Sequence, residues 1–171
     1  MLLSPPFVDA HFHMDATLSY GLPRVNESGT LLEGIALWGE LKPLLTQDAL
    51  IARALTYCDW AVAKGLLAIR SHVDVCDPRL LAVEALLEVK RRVAPYLDLQ
   101  LVAFPQDGLY RDPTARANTI RALDMGVDVV GGGHDPGQEH AVDEAPSAGV
   151  EHEAHRLLEL DDPFEGELDG D

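Results

Sequence analysis

The alternation of strand-like and helix-like segments constrains the fold of this chain more than any other feature. The apolar patterns predict strands at 7–13, 66–75, 97–104 and 127–130, and convincing helices at 46–64, 77–94 and 113–125. Strands that alternate with helices in this β-α-β-α-β-α-β order, at a repeat of roughly 30 residues, are typical of a parallel sheet with right-handed crossovers. The sequence therefore predicts an α/β protein.

Local signals set the predicted helix ends. Thr46 is a plausible N-cap and Gly65 a plausible stop for the first convincing helix. Asp77 and Pro78 are expected at the N-cap and the first position of the next helix. Residues 16–29 read as a long loop, and residues 30–45 could hold a short helix.

Two architectures fit the alternation: a doubly wound open sheet and a (β/α)8 barrel. The first strand is not followed by a GxGxxG glycine pattern, which disfavours dinucleotide binding. Polar residues at the carboxyl ends of the strands favour the barrel, because barrel active sites gather on that face. A whole barrel has about 250 residues. The prediction is therefore a partial (β/α)8 barrel of about four βα units over residues 1–133.

The charge of the chain is concentrated at one end. The net charge is −16, and residues 134–171 hold 13 acidic residues and one basic residue, Arg156. We expect this segment to be a solvated, disordered tail. An acidic chain without a basic patch is not expected to bind nucleic acid through phosphates.

The remaining composition predicts a cytoplasmic protein that does not interact with membranes. No apolar run approaches the roughly 20 residues that cross a bilayer, and the N-terminus lacks the pattern of a secretory signal. Cys58 and Cys76 form no CxxC motif and no disulfide framework, which suits a reducing compartment.

The first strand ends in His11 and His13, which are spaced i, i+2. On a strand, alternate side chains share a face, so the two imidazoles project together about 6–7 Å apart. They could converge on one metal ion. Histidines that merely meet solvent are the usual explanation of an isolated HxH pattern.

Two further strand ends carry polar groups. His72 and Asp74 share a face of the second strand, and Asp74 could orient His72 next to a metal or both could bind it directly. Gln106 follows the third strand, and its amide can donate and accept hydrogen bonds at the edge of a heterocyclic base.

These segments together resemble the metal-dependent amidohydrolase superfamily, and within it the bacterial cytosine deaminase group. The similarity runs from about Phe7 to Gly132. It is carried by the strings FVDAHFHMDAT, SGTLLEGIALWGELKPLLT, RSHVDVCD, LLEVKRRVAPYLDLQLVAFPQDG and MGVDVVGG. Related members of the superfamily act on other cyclic amidines and amides, including isopropylammelide.

The resemblance implies a role for four residues. His11 and His13 correspond to the histidines that bind the catalytic iron or zinc. Gln106 corresponds to the glutamine that holds the pyrimidine edge, and Leu31 lies in the loop that borders the base. The implied reaction is hydrolytic deamination of cytosine or a related heterocycle in pyrimidine metabolism, in which the divalent metal lowers the pKa of water.

The chain departs from this pattern after the fourth strand. The family's proton-shuttling glutamate, further metal and catalytic histidines and metal-binding aspartate belong to later strands, for which we find no counterpart. The histidines of the tail are more typical of its composition than of a designed site: His134, His140, His152 and His155.

The sequence therefore predicts a truncated family member that is inactive on its own. The alternative is a non-catalytic half-barrel that binds metal or completes a barrel with another chain. Its open sheet edges would then favour self-association.

Overall fold

The computed structural model describes residues 4–109 and 114–131. The predicted tail, its histidines and the start of the last predicted helix lie outside the described residues. The boundary at residue 133 therefore stays a prediction.

The described elements follow the predicted order, with four strands and four helices. They are β1 Phe7–Phe12, α1 Leu31–Leu41, α2 Gln47–Ala63, β2 Leu66–Asp74, α3 Leu81–Val93, β3 Asp98–Phe104, α4 Ala115–Asp124 and β4 Val129–Val130. Short 3-10 turns follow β1 and α1, at Met14–Ala16 and Lys42–Leu44. Among the described helices, none is long and apolar enough to cross a membrane.

The sheet decides between the two predicted architectures. Its four strands are parallel and lie in the order β1-β2-β3-β4, so each strand is hydrogen-bonded to its neighbour in sequence. A doubly wound sheet reverses its strand order at a switch point, whereas a barrel adds strands consecutively. The fold is a four-strand segment of a (β/α)8-type barrel.

The core lies between one face of the sheet and the helices. Alternate residues of β3 (Leu99, Leu101 and Ala103) are buried there, as their spacing predicts, and Ile69 and Val73 of β2 lie beside them. The opposite face of the sheet would form the barrel interior. It carries polar pairs such as Arg70 and Gln100, whose Nε and Oε1 atoms are 2.6 Å apart.

Several predicted helix ends are confirmed. The Thr46 hydroxyl accepts a hydrogen bond from the Ala49 backbone N–H at 3.4 Å, and α2 begins at the next residue. Gly65 follows the C-cap of α2 with a φ of +83°, a conformation that glycine adopts without steric cost. Thr30 caps α1 by accepting a hydrogen bond from Glu33 N–H.

The predicted start of the next helix at Asp77 and Pro78 is wrong. Helix α3 begins at Leu81, after Leu80 with a φ of +50°. The Asp77 carboxylate accepts hydrogen bonds from the backbone and the guanidinium of Arg79, and Leu80 N–H donates to the Asp77 carbonyl at 2.9 Å. These bonds close a separate turn before the helix, because an aspartate followed by proline favours a turn as readily as a helix N-terminus.

Strand β4 is shorter than predicted, since Val127 and Asp128 precede it. The carboxylate of Asp128 accepts the Leu101 backbone N–H at 2.7 Å, a position that a neighbouring strand carbonyl would otherwise occupy. The side chain of Asp128 thus replaces part of the β-ladder at its start.

Candidate metal centre

Three histidines meet at the carboxyl edge of the sheet. His11 is exposed on β1, and His13 is half-buried directly after this strand. His72 lies on β2, whose Ser71 pairs with Phe12 of β1, so that His13 and His72 both follow this pair at the carboxyl ends of adjacent strands. Strand alternation and parallel register therefore bring together residues far apart in the sequence.

The three imidazoles are close enough to share one ion. One nitrogen of each ring can be chosen so that all three lie within 4.8 Å of one another. The rings of His11 and His72 stack at a centroid distance of 4.1 Å, and the other two ring pairs are 5.4 and 5.5 Å apart. The predicted convergence of His11 and His13 is present, and His72 joins them.

The surroundings favour neutral imidazoles at His13 and His72. Burial, together with the other two histidines, lowers the pKa of His72 to about 4. Burial and the neighbouring His11 also lower the pKa of His13. Neutral imidazoles keep the nitrogen lone pair that a metal requires.

Two residues pack against the rings of His13 and His72. Phe104, at the end of β3, makes edge-on contacts with His13 and with His72, each at a centroid distance of 5.5 Å. Gly131 lies next to both His72 and Phe104, and a Cβ on it would be 3.5 Å from Cδ2 of each ring. The glycine run that begins at Gly131 is typical of a turn, but the sequence did not reveal the contact of Gly131 with His72 and Phe104.

Asp74 binds α1 and the turn that follows it. Its Oδ2 accepts hydrogen bonds from Trp38 Nε1 at 2.7 Å and Lys42 Nζ at 2.9 Å, and its Oδ1 accepts the Cys76 backbone N–H. The prediction that Asp74 orients His72 requires a hydrogen bond between them, and no such bond is present within residues 4–109 and 114–131. Asp74 instead anchors helix α1 over the carboxyl edge of the sheet.

Asp15 is a buried residue whose role the sequence did not reveal. Its Oδ2 accepts the Asp74 backbone N–H at 2.9 Å and its Oδ1 accepts Ala16 N–H. Burial raises the pKa of the Asp15 carboxyl to about 7. The side chain thus ties the turn after β1 to the end of β2, between the two strands that carry the histidines.

The two predicted substrate-binding residues flank this edge. Leu31 begins α1 and is 77% exposed. Gln106 is half-buried in the turn after β3. That turn is tied to the same network, because Asp107 forms an ion pair with Lys42 at 3.2 Å and donates its backbone N–H to Cys76 Sγ. The substrate-binding roles of Leu31 and Gln106 remain predictions.

The histidine cluster fits a divalent metal ion. It offers imidazole nitrogens, which suit zinc and iron as ligands. Nδ1 of His72 is buried and has no hydrogen-bond partner within the described chain. Buried polar atoms nearly always have a partner, so this nitrogen is compatible with a ligand from outside the chain.

A parallel barrel segment with a histidine cluster at its carboxyl edge defines a class of metal-dependent hydrolases. The family model described as "Amidohydrolase family" matches residues 1–159. The chain belongs to this family.

Two relatives of known activity are similar to part of this chain. The chain is 35% identical over 136 residues to N-isopropylammelide isopropyl amidohydrolase of Pseudomonas sp. (strain ADP), covering 77% of this chain and 34% of the relative. The structure of 5-methylcytosine deaminase from Klebsiella pneumoniae, liganded with phosphonocytosine, matches with 48% identity and a TM-score of 0.73, covering 75% of this chain and 31% of that one.

A third relative is the N-isopropylammelide isopropylaminohydrolase structure from Burkholderia multivorans. It matches with 27% identity and a TM-score of 0.61, over 74% of this chain and 32% of the relative. The chain thus spans about a third of the length of each of these relatives.

Proposed function

We propose that this chain carries part of the active site of a metal-dependent amidohydrolase that deaminates cytosine or a closely related cyclic amidine. The convergence of three histidine rings at the carboxyl edge of the sheet is the observation that carries this proposal. The 48% identity to a 5-methylcytosine deaminase structure supports the choice of substrate class.

In this proposal His11 and His13 hold an iron or zinc ion. Such an ion supplies Lewis-acid chemistry that makes water nucleophilic near neutral pH. Burial lowers the pKa of His13, so its imidazole binds without first losing a proton, and Phe104 contacts this ring edge-on. Asp74 contributes indirectly, since it holds α1, and with it Leu31, beside the site.

Gln106 orients the heterocycle. Its amide can accept from a ring N–H and donate to a ring nitrogen or carbonyl at the same time, which matches the edge of cytosine. Lys42 holds the turn that contains Gln106 through Asp107. The expected transfer of a proton to the leaving ammonia needs an acid that we do not assign to the described residues.

A triazine is the second candidate substrate. The 35% identity to an N-isopropylammelide amidohydrolase supports a substrate that releases isopropylamine instead of ammonia. Both candidate substrates require the same hydrolytic chemistry. They differ in the part of the heterocycle that would lie next to Gln106 and Leu31.

The test is a chimera in which residues 7–131 replace the matching segment of the Klebsiella 5-methylcytosine deaminase. Zinc- or iron-loaded chimera is assayed with cytosine, 5-methylcytosine and N-isopropylammelide, and ammonia and isopropylamine are measured separately. We expect ammonia release that His13→Ala abolishes and Gln106→Leu reduces mainly through a higher KM. A folded, metal-loaded chimera without hydrolysis of any of the three compounds would refute the proposal.

The chain assayed alone is expected to release negligible ammonia, because the described residues offer no proton-shuttling glutamate. Metal-dependent deamination by the unmodified chain, lost in His13→Ala, would overturn this expectation.

A non-catalytic half-barrel is the alternative function. The exposed, apolar start of edge strand β1, with Phe7 and Val8 62% and 68% exposed, favours pairing with another polypeptide. A chain that binds metal and a second polypeptide, while the chimera lacks activity, would support this alternative.

A further inference from the structure

We propose that Lys42 couples the two predicted substrate-binding segments, the start of α1 with Leu31 and the turn after β3 with Gln106, by holding both against the end of β2. The inference rests on the proposed function, in which Asp74 supports α1 and Lys42 supports the Gln106 turn as two separate ties. It joins these ties into one unit. Lys42 is then a positioning residue that sets substrate affinity without contacting the substrate.

Lys42 is held by two carboxylates and by its own backbone. Its Nζ lies 2.9 Å from Oδ2 of Asp74 and 3.2 Å from Oδ2 of Asp107. Its carbonyl accepts a hydrogen bond from Nη2 of Arg79 at 2.7 Å. The Lys42 side chain is 15% exposed and that of Asp74 is 3% exposed, so water screens this pair less than a surface pair. The residue directly after α1 thus bridges the end of β2 and the turn after β3.

The turn after β3 is fixed through Asp107, the neighbour of Gln106. Gly108 N–H donates to the Pro105 carbonyl at 2.9 Å, which closes a β-turn with the two residues between them at its centre. Asp107 N–H donates to Cys76 Sγ at 3.3 Å, and its carboxylate bonds the lysine. Both the backbone and the side chain of one central residue are therefore tied to other elements. The direction of Gln106 follows, because the two residues share a peptide plane.

Helix α1 is anchored by the carboxylate that also binds the lysine. Trp38 Nε1 donates to Oδ2 of Asp74 at 2.7 Å, so this oxygen accepts both the indole and the ammonium. The helix has 11 residues and a capped start, and it carries Leu31 about 10 Å along its axis from Trp38. Without the lysine charge the attachment of α1 to β2 is weaker, and a small tilt at this anchor displaces Leu31.

A purely structural ion pair is the alternative explanation of Lys42. The loss of such a pair would loosen the sheet as a whole. Lys90 provides the matched control, since it forms an ion pair with Asp128 directly before β4, away from the Gln106 turn. Both side chains of this pair are 31% exposed, and Asp128 also accepts the Leu101 backbone N–H. Lys90→Met therefore removes one lysine from a comparable network.

Amide hydrogen exchange of the full chain, followed by mass spectrometry, measures the coupling without any activity. In Lys42→Met we expect at least about tenfold faster exchange in both 31–41 and 105–109, the size of effect that a lost hydrogen bond to a charged group produces. Asp107→Asn should speed exchange in 105–109 alone, and Lys90→Met in neither segment. Uniformly faster exchange across the sheet in Lys42→Met, or a response of one segment only, would overturn the coupling.

Substrate affinity in the chimera with the Klebsiella deaminase gives a second readout. Asp107→Asn should raise KM about threefold and Lys42→Met about tenfold, with kcat changed by less than about twofold, because positioning that serves ground state and transition state alike appears in KM. Asp107→Asn alters a half-exposed carboxylate, so it keeps the test available if Lys42→Met does not fold. An unchanged KM in Asp107→Asn would overturn the positioning role.

A double-mutant cycle separates positioning of Gln106 from an independent effect. Asp107→Asn should add no further rise in KM to that of Gln106→Leu, because both changes act on the same contact with the substrate. Multiplicative increases in KM would show that the network acts elsewhere and would overturn the inference.

The outcomes also separate this inference from the proposed function. An active chimera whose KM does not respond to Asp107→Asn refutes the inference and leaves the function intact. An inactive chimera, together with coupled exchange of the two segments in the full chain, refutes the function and supports the coupling through Lys42.

Discussion

Gly131, the residue directly after β4, lies beside His72 of the histidine cluster. A Cβ at this position would be 2.7 Å from Cγ1 of Val102, which is shorter than any van der Waals contact. Val102 is itself buried in the middle of β3, so its side chain cannot move away freely. The close approach of residue 131 to this strand therefore requires glycine.

Gly131→Ala should lower the free energy of unfolding by about 1–3 kcal/mol, the usual cost of overpacking a core. Chemical denaturation of the metal-free protein measures this change. Gly39→Ala is the control, because no atom lies within 4 Å of the added Cβ and the residue is inside helix α1. That change should raise stability by roughly 0.5–1 kcal/mol, and equal losses in both variants would contradict the role of Gly131.

Asp15 and His72 have opposite effects on how the free energy of unfolding changes with pH. The folded-state pKa of Asp15, about 7, lies above its usual value, so its contribution is present at low pH and is lost as pH rises toward 7. The folded-state pKa of His72, about 4, lies below its usual value of 6.5. Its contribution is present above pH 6.5 and is lost as pH falls through 4.

Asp15→Asn should therefore make the stability of the metal-free protein rise more steeply between about pH 4 and 7. His72→Gln should make it rise less steeply over the same range. Urea denaturation at a series of pH values gives the two slopes. The slopes are compared, and not the absolute stabilities, because the asparagine side chain also alters the hydrogen bonds of this position. Parallel curves for both variants and the unsubstituted chain would show that neither group titrates as described.

Among the elements, α1 is joined to the site in part by Lys42, the residue that follows it. Lys42 joins the nearly buried carboxylate of Asp74 to the half-exposed carboxylate of Asp107, and it thereby connects α1, β2 and the turn after β3. Burial alone would lower the pKa of Lys42, but its bonds to the two aspartates raise it above the usual value. The lysine is therefore charged at neutral pH.

Lys42→Met should destabilise the fold by about 1–3 kcal/mol, because it leaves the buried Asp74 oxygen without its charged partner. Asp107→Asn, which alters the exposed half of the same network, should cost less than about 1 kcal/mol. Thermal unfolding of both variants under identical conditions checks the difference. Similar losses of stability in the two variants would mean that the burial of Asp74 does not determine the cost of removing Lys42.

The elements were more predictable from sequence than the site. Strand and helix positions follow from local periodicity, and Thr46 and Gly65 carry their own signals. The start of α3 was not predictable, because the carboxylate of Asp77 can cap either a turn or a helix. A hydrogen bond from the Arg79 guanidinium to the Lys42 carbonyl, distant in the sequence, accompanies the turn. The pairing of His11 with His13 is local, whereas the partners of His72 and Asp74 depend on the register between strands.

For the whole molecule, β1 is one of the two edge strands of the described sheet. It pairs with β2 on one side, and its first residues, Phe7 and Val8, are exposed. Exposed apolar residues on an edge strand favour pairing with other chains, a tendency that Asp9 within β1 weakens but that Phe7 and Val8 retain at its start. Self-association at this edge is therefore expected at high protein concentration.

Val8→Lys should shift the protein toward the monomer in analytical ultracentrifugation, since a lysine on an edge strand disfavours strand pairing. Leu32→Lys is a matched control: Leu32 is also 68% exposed but lies on helix α1. An equal shift in both variants would indicate general solubility instead of strand pairing at β1.

The rings of the metal centre come from two adjacent strands that are joined by a long connection containing α1 and α2. An ion held by both strands would act as a clip across this connection, and it would oppose the entropy that the open loop gains on unfolding. Metal binding at this centre would then show that β1 and β2 have paired, even in the absence of the later strands of a barrel.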